Sequence, residues 1–125
     1  MQMIRHLVLI NWKPGTKEQD IQEWVALCNR IPDECPMIYN WVSSFSVEGP
    51  PEANPSTHPF CVHMDLRSKE EWAQYIKHPY PGRVVAEGMK IIDMDRTASV
   101  NILVETEPTR KRSHGLMSQA KAGQH

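Results

Sequence analysis

The sequence predicts an α+β fold: four strands in one antiparallel sheet, with helices over a single face. Two observations carry this. Four segments alternate apolar and polar side chains at the period of a half-buried strand: "MIRHLVLINW", "YNWVSSFSV", "FCVHMDL" and "ASVNILVE". Helical spacing fills the chain between the first and second of these, and again between the third and fourth.

The first segment puts His6, Val8, Ile10 and Trp12 on one face and Arg5, Leu7, Leu9 and Asn11 on the other. A histidine among three large apolar groups is either a hydrogen-bonded core residue or the polar member of a pocket. "KPGT" then turns the chain, and Thr16 with Gln19 has the spacing of a capping box. Ile21, Trp24, Val25 and Cys28 recur on one helical face, with Ile31 in phase, until "PDECP" stops the helix. In the second strand Tyr39, Trp41, Phe45 and Val47 share a face, and the proline-rich "EGPPEANPSTHP" follows as a loop. The third strand sets Phe60, Val62, Met64 and Leu66 against Cys61, His63 and Asp65. Ser68 and Glu71 form a second capping box, ahead of a helix through Trp72, Tyr75 and Ile76. "HPYPG" breaks that helix, and "RVVAEGMKIIDM" resumes it through Val84, Val85, Met89 and Ile92. Val100, Ile102 and Val104 align in the last strand.

Strand, helix, strand, strand, broken helix, strand is the order of a ferredoxin-like sandwich. The sheet face turned away from the helices is then expected to carry Leu7, Leu9, Val42 and Leu103 among Ser44, Cys61 and His63. An open apolar face marks an interface. A homodimer joined sheet to sheet, a dimeric α/β barrel, buries it symmetrically. Residues 1–105 form this domain, and the aperiodic residues 106–125 are expected as a disordered tail.

A formal charge of −1 argues against general nucleic-acid or membrane-surface binding, and the "RKR" of the tail lacks interleaved aromatics. No apolar run reaches bilayer length, and the first residues lack the pattern of a secretory signal, so the cytoplasm is the expected compartment. The three cysteines, Cys28, Cys35 and Cys61, form no CxxC and are expected as reduced structural thiols. His58 and His63 fall on opposite faces, and no HExxH or carboxylate cluster occurs, so neither metal nor cofactor is expected.

"IRHLVLINWKPGT", "EEWAQYIKHP" and the closing β-branched strand resemble the stress-responsive A/B barrel (Dabb) family over roughly residues 3–105. The resemblance implies a dimeric ferredoxin-like barrel with a pocket between helices and sheet in each subunit. Relatives include plant polyketide cyclases, which close rings by aldol-type chemistry without metal or cofactor. His6 matches their pocket histidine and Tyr75 a pocket tyrosine, while Trp24 stands where another tyrosine would be. Their second histidine falls at Pro81 here, which leaves the acid/base pair incomplete.

A histidine, titrating near about 6.5 when unperturbed, suits proton abstraction and return. A tyrosine hydroxyl suits a developing oxyanion. His6 and Tyr75 are therefore the expected catalytic pair. Val8, Ile10, Trp24, Trp41 and Val62 are expected to line the substrate site, with Trp12 and Phe60 adding flat walls. Tyr80 is placed at the rim, where it could stand in for the missing histidine, and His78 at the negative end of a helix. The expected function is a cofactor-independent lyase, cyclase or isomerase acting on an aromatic or polyketide-like carbonyl compound. A non-catalytic protein that shelters such a ligand is the alternative. A cofactor-free monooxygenase is a further one, weakened because Asn11 would face the dimer side.

Overall fold

Alternation and helical spacing translate directly into the computed structural model, which describes residues 1–110 and 113–114. The chain runs β1 (Gln2–Ile10), α1 (Glu18–Cys28), α2 (Ile31–Glu34), β2 (Tyr39–Phe45), β3 (Phe60–Leu66), α3 (Lys69–Lys77), α4 (Pro79–Gly88), β4 (Ala98–Glu105) and β5 (Ser113–His114). The sheet order is β4-β1-β3-β2-β5. The first four strands pair antiparallel, as in a ferredoxin-like fold, and the two-residue β5 adds a parallel edge to β2.

Register decides what faces the helices. His6, Val8 and Ile10 of β1 stand opposite Met64, Val62 and Phe60 of β3. These side chains, with Trp41 and Phe45 of β2, meet Ile21, Trp24, Val25 and Cys28 of α1 and Val84 of α4 in one apolar core. Close approach of α1 and α4 depends on Gly88, where an added Cβ would lie 2.8 Å from the Trp24 indole nitrogen.

Four expectations need correction at the level of elements. Thr16 does not cap α1: its hydroxyl donates to the Lys13 carbonyl at 2.7 Å, and Lys17 is the N-cap residue. The hydroxyl instead closes the Lys-Pro-Gly-Thr turn, where Gly15 takes φ +80°, the value that favours glycine. "HPYPG" does not simply break a helix. His78 ends α3 and begins α4, with Pro79 in the first turn, where a missing N–H costs nothing. The resumed helix then ends at Gly88, short of Met94, and a 3-10 turn at Met94–Arg96 leads into β4. Finally, Leu103 pairs with Ile4, and Val100 and Ile102 pair with Leu7 and Arg5. Leu103 therefore lies on the helix side of the sheet, and Val100 and Ile102 belong to the outer face.

The second capping box holds in part. Ser68 Oγ accepts the Glu71 N–H at 3.1 Å, while the Glu71 carboxylate accepts from the Arg67 N–H. The segment expected as a tail is placed through residue 110 and again at Ser113–His114. Asn40, at φ 52° beside an irregularity in β2, anchors it: its amide donates to the Glu107 carbonyl and accepts from the Thr109 N–H. The same Asn40 amide donates to Asp65, which is fully buried and held by Arg5 through two hydrogen bonds of 2.8 and 2.9 Å. The remaining residues of the expected tail lie outside the described part of the chain.

Candidate active site

A cavity of about 400 Å³ opens between the helix side of the sheet and α1, α3 and α4. His6, Val8 and Ile10 of β1 and Val62 and Met64 of β3 form its floor. Trp24 and Cys28 of α1, Tyr75 and Ile76 of α3, and Pro81, Gly82, Val84 and Val85 of α4 form its walls. Met94 and Thr97, ahead of β4, complete it. Its lining includes no aspartate, glutamate, lysine or arginine.

The cavity's hydrogen-bonding capacity concentrates on His6 and Tyr75. Cross-strand pairing puts Asn101 of β4 directly opposite, and the His6 Nδ1 lies 2.6 Å from Asn101 Oδ1. A carbonyl oxygen only accepts, so in this arrangement Nδ1 carries the proton and Nε2 keeps its lone pair. The Trp72 ring, 6.0 Å away and tilted by 42°, supports the imidazole from α3. Tyr75 lines the same cavity, and its hydroxyl has no hydrogen-bond partner among the described residues. Burial pushes the Tyr75 phenol well above its ordinary range, aided by neighbouring Cys28 and Cys35, so it remains a donor. The remaining side-chain nitrogen and oxygen atoms of the lining are engaged. Trp24 Nε1 donates to the Val84 carbonyl at 3.0 Å, and Thr97 Oγ1 to the Asp93 carbonyl at 2.9 Å.

Of the nine residues expected in the site, the structure brings six into the cavity: His6, Tyr75, Val8, Ile10, Trp24 and Val62. The other three lie elsewhere, each for a physical reason. Trp41 is sealed in the core at 1% exposure. Tyr80 turns to α1, where its hydroxyl donates to the Leu27 carbonyl at 2.6 Å and Arg30 stacks over its ring, so it does not replace a catalytic histidine. His78 Nδ1 accepts the Tyr80 N–H at 3.1 Å. It serves the positive start of α4 with a lone pair, the reverse of an imidazolium at a negative helix end. Of the expected flat walls, neither Trp12 nor Phe60 is among the lining residues; both pack against Trp24 behind the cavity. Asn11 is buried and donates to the Arg96 carbonyl at 2.8 Å, away from the cavity.

Burial keeps all three thiols protonated near neutrality. Burial raises Cys28 to about 12, and burial with Glu34 raises Cys35 to about 11. Among the described residues no three His, Cys, Asp or Glu side chains gather as a metal ion would require, and no helix is long and apolar enough to cross a membrane.

A model of the stress responsive A/B barrel domain (Dabb) matches residues 4–103. The chain belongs to the Dabb family. A Dabb family protein of Mesorhizobium loti with a ferredoxin-like fold superposes with TM-score 0.62 at 14% identity, over 86% of this chain and 99% of that one. A dimeric ferredoxin-like protein of unknown function from Thermobifida fusca gives 0.64 at 16%, over 84% and 92%. The hydroxynitrile lyase of Passiflora edulis gives 0.71 at 15%, over 85% and 97%. These likenesses establish the fold. No curated protein matches the chain.

Within this Dabb domain sequence reasoning missed the lining residues Met64, Ile76, Val85, Met94 and Thr97, and it missed Asn101, the partner of His6. The only signal of Asn101 was a polar side chain inside a β-branched strand, and the register that sets it against His6 is a tertiary fact. Pro81, where the resemblance puts a second histidine, does line the cavity and offers no proton. On the outer sheet face, His63 Nδ1 is buried without a partner among the described residues, beside Leu7 and Val42 across the ladders.

Proposed function

We propose that this Dabb protein is a cofactor-independent enzyme that moves a proton on a carbonyl compound, as a lyase, cyclase or isomerase. The observation that carries the proposal is that His6, held by Asn101, and a Tyr75 hydroxyl without a partner among the described residues line one apolar cavity. His6 Nε2 takes the proton from an acidic carbon or hydroxyl of the substrate, and Tyr75 donates to the oxygen where negative charge gathers. The apolar walls favour an aromatic or polyketide-like body. A lyase by name shares this fold, which lends precedent to the reaction class and none to the substrate. We read the protein as a cytoplasmic homodimer. Neighbours described as dimeric, half-exposed Val100 and Ile102, and the unpartnered His63 Nδ1 together support the outer sheet face as the contact.

The test is turnover of a panel of aromatic ketones, aldehydes and 2-hydroxynitriles by wild type and His6→Gln. The variant should fold, bind and lose at least about 100-fold in rate. Unchanged turnover would remove His6 from the mechanism. Pro81 favours a second reading, a protein that shelters the ligand without transforming it. Ligand recovered chemically unchanged across the whole panel, with binding intact, would select that reading.

A further inference from the structure

Three of the cavity's apolar residues also face water: Ile76 is 65% exposed, Val85 57% and Met94 52%. They make the mouth as apolar as the interior. Inside, the side-chain nitrogen and oxygen atoms without a partner among the described residues reduce to His6 Nε2 and the Tyr75 hydroxyl, because Trp24 and Thr97 donate to backbone carbonyls. No charged side chain lines the space, so a carboxylate or phosphate brought inside would lose its water without gaining a counter-ion. At about 400 Å³ the cavity is near the small end of ligand sites, which span roughly 300–1,000 Å³. An occupant longer than the cavity therefore reaches the mouth.

We infer that the cavity takes a neutral amphiphile with a single oxygen-bearing head at His6 and Tyr75, its apolar body running out over Ile76, Val85 and Met94. The inference rests on the proposed carbonyl chemistry for the identity of the head. Continuity carries the rest: the exposed apolar rim is the same surface as the cavity wall, so the occupant of one covers the other. Ile76, Val85 and Met94 then set which chain length binds best.

A homologous series of alkyl phenyl ketones tests this, with Kd read from tryptophan fluorescence and no turnover needed. Affinity should rise about two- to four-fold per methylene and keep rising past the length that fills the cavity. In Ile76→Ser/Val85→Ser, both exposed positions of the cavity wall, the affinity gain per methylene for long ketones should disappear, and long ketones should lose more affinity than short ones. His6→Gln should keep the chain-length slope, so a failed catalytic reading leaves this result standing and the two failures are told apart. A plateau once the cavity is filled would overturn the inference, as would equal weakening of short and long ligands in the double serine variant. A fall in its solution mass from dimer to monomer would assign the rim to a subunit contact and also overturn it.

Discussion

His6 depends on a neighbour ninety-five residues away in sequence. Asn101 holds Nδ1 and so fixes which nitrogen is basic, a positioning role that needs the β1–β4 register to hold. Losing a hydrogen bond to a group that becomes charged during turnover costs about 1.5–3 kcal/mol, which corresponds to roughly ten- to 150-fold. Asn101→Leu should therefore lower kcat by about that factor and shift the pH–rate profile, because the imidazolium loses its acceptor. Asn101→Asp should restore activity and move the acid limb of the profile to higher pH. A profile that stays put in Asn101→Leu, with KM alone changed, would show that Asn101 only shapes the wall. The contrast between His6 and Trp41 shows what a single sequence can hold at this scale. Alternation assigned both to the helix side, correctly, but only the placement of α1, α3 and α4 decides that one meets a cavity and the other is sealed in the core.

At the scale of elements, the cavity is set by how closely α4 approaches α1. Gly88 permits that approach: a methyl group there would meet both Trp24 Nε1 and Ile92 Cδ1 within 3 Å. The Trp24 indole cannot swing away without giving up its bond to the Val84 carbonyl, so Gly88→Ala should destabilise the domain by about 1–3 kcal/mol. It should also disturb ligand binding, since Trp24 is part of the cavity wall. Denaturant midpoints and ligand titration of the same variant check both effects, and an unshifted midpoint would mean that α4 relaxes freely. The four main strands and both major helical regions were legible in the sequence because each is a run of regular spacing. The α3–α4 junction was not. His78 and Pro79 look like a stop signal locally, yet the same two residues start a helix when a lone pair faces the next N–H and a proline takes the first turn. Leu103 was misplaced for a related reason. "SVNILV" fixes which residues share a face but not which face, and only pairing of Asn101 with His6 settles the phase.

For the whole molecule, burial disfavours the charged forms of His63 on the acid side of neutrality and of Cys28, Cys35 and Tyr75 on the alkaline side. Burial lowers the His63 pKa, with Arg5 adding to the effect and Asp65 partly opposing it. The unfolded chain therefore takes up a proton there more readily than the folded one, and stability falls as pH drops below about 6.5. Farther down, Glu71 is held below the usual carboxylate range, chiefly by its hydrogen bond from Arg67, so its contribution is lost on acidification as well. On the alkaline side the signs reverse in proton terms. Cys28, Cys35 and Tyr75 are all raised by burial, so the unfolded chain releases protons first and stability declines as pH rises above about 8.5. One such group steepens the decline by about 1.4 kcal/mol per pH unit until its folded pKa is reached. Melting temperature should be highest between about pH 7 and 8.5. Cys28→Ala should flatten the alkaline limb, and His63→Gln the acid limb. Because the outer face carries His63, the proposed dimer adds a distinguishing feature: if the contact buries His63 further, the dimer dissociation constant rises as pH drops below about 6.5. Sedimentation of wild type and His63→Gln at pH 5.5 and pH 7.5 checks this directly. A dissociation constant that responds to pH equally in both proteins would place His63 outside the subunit contact.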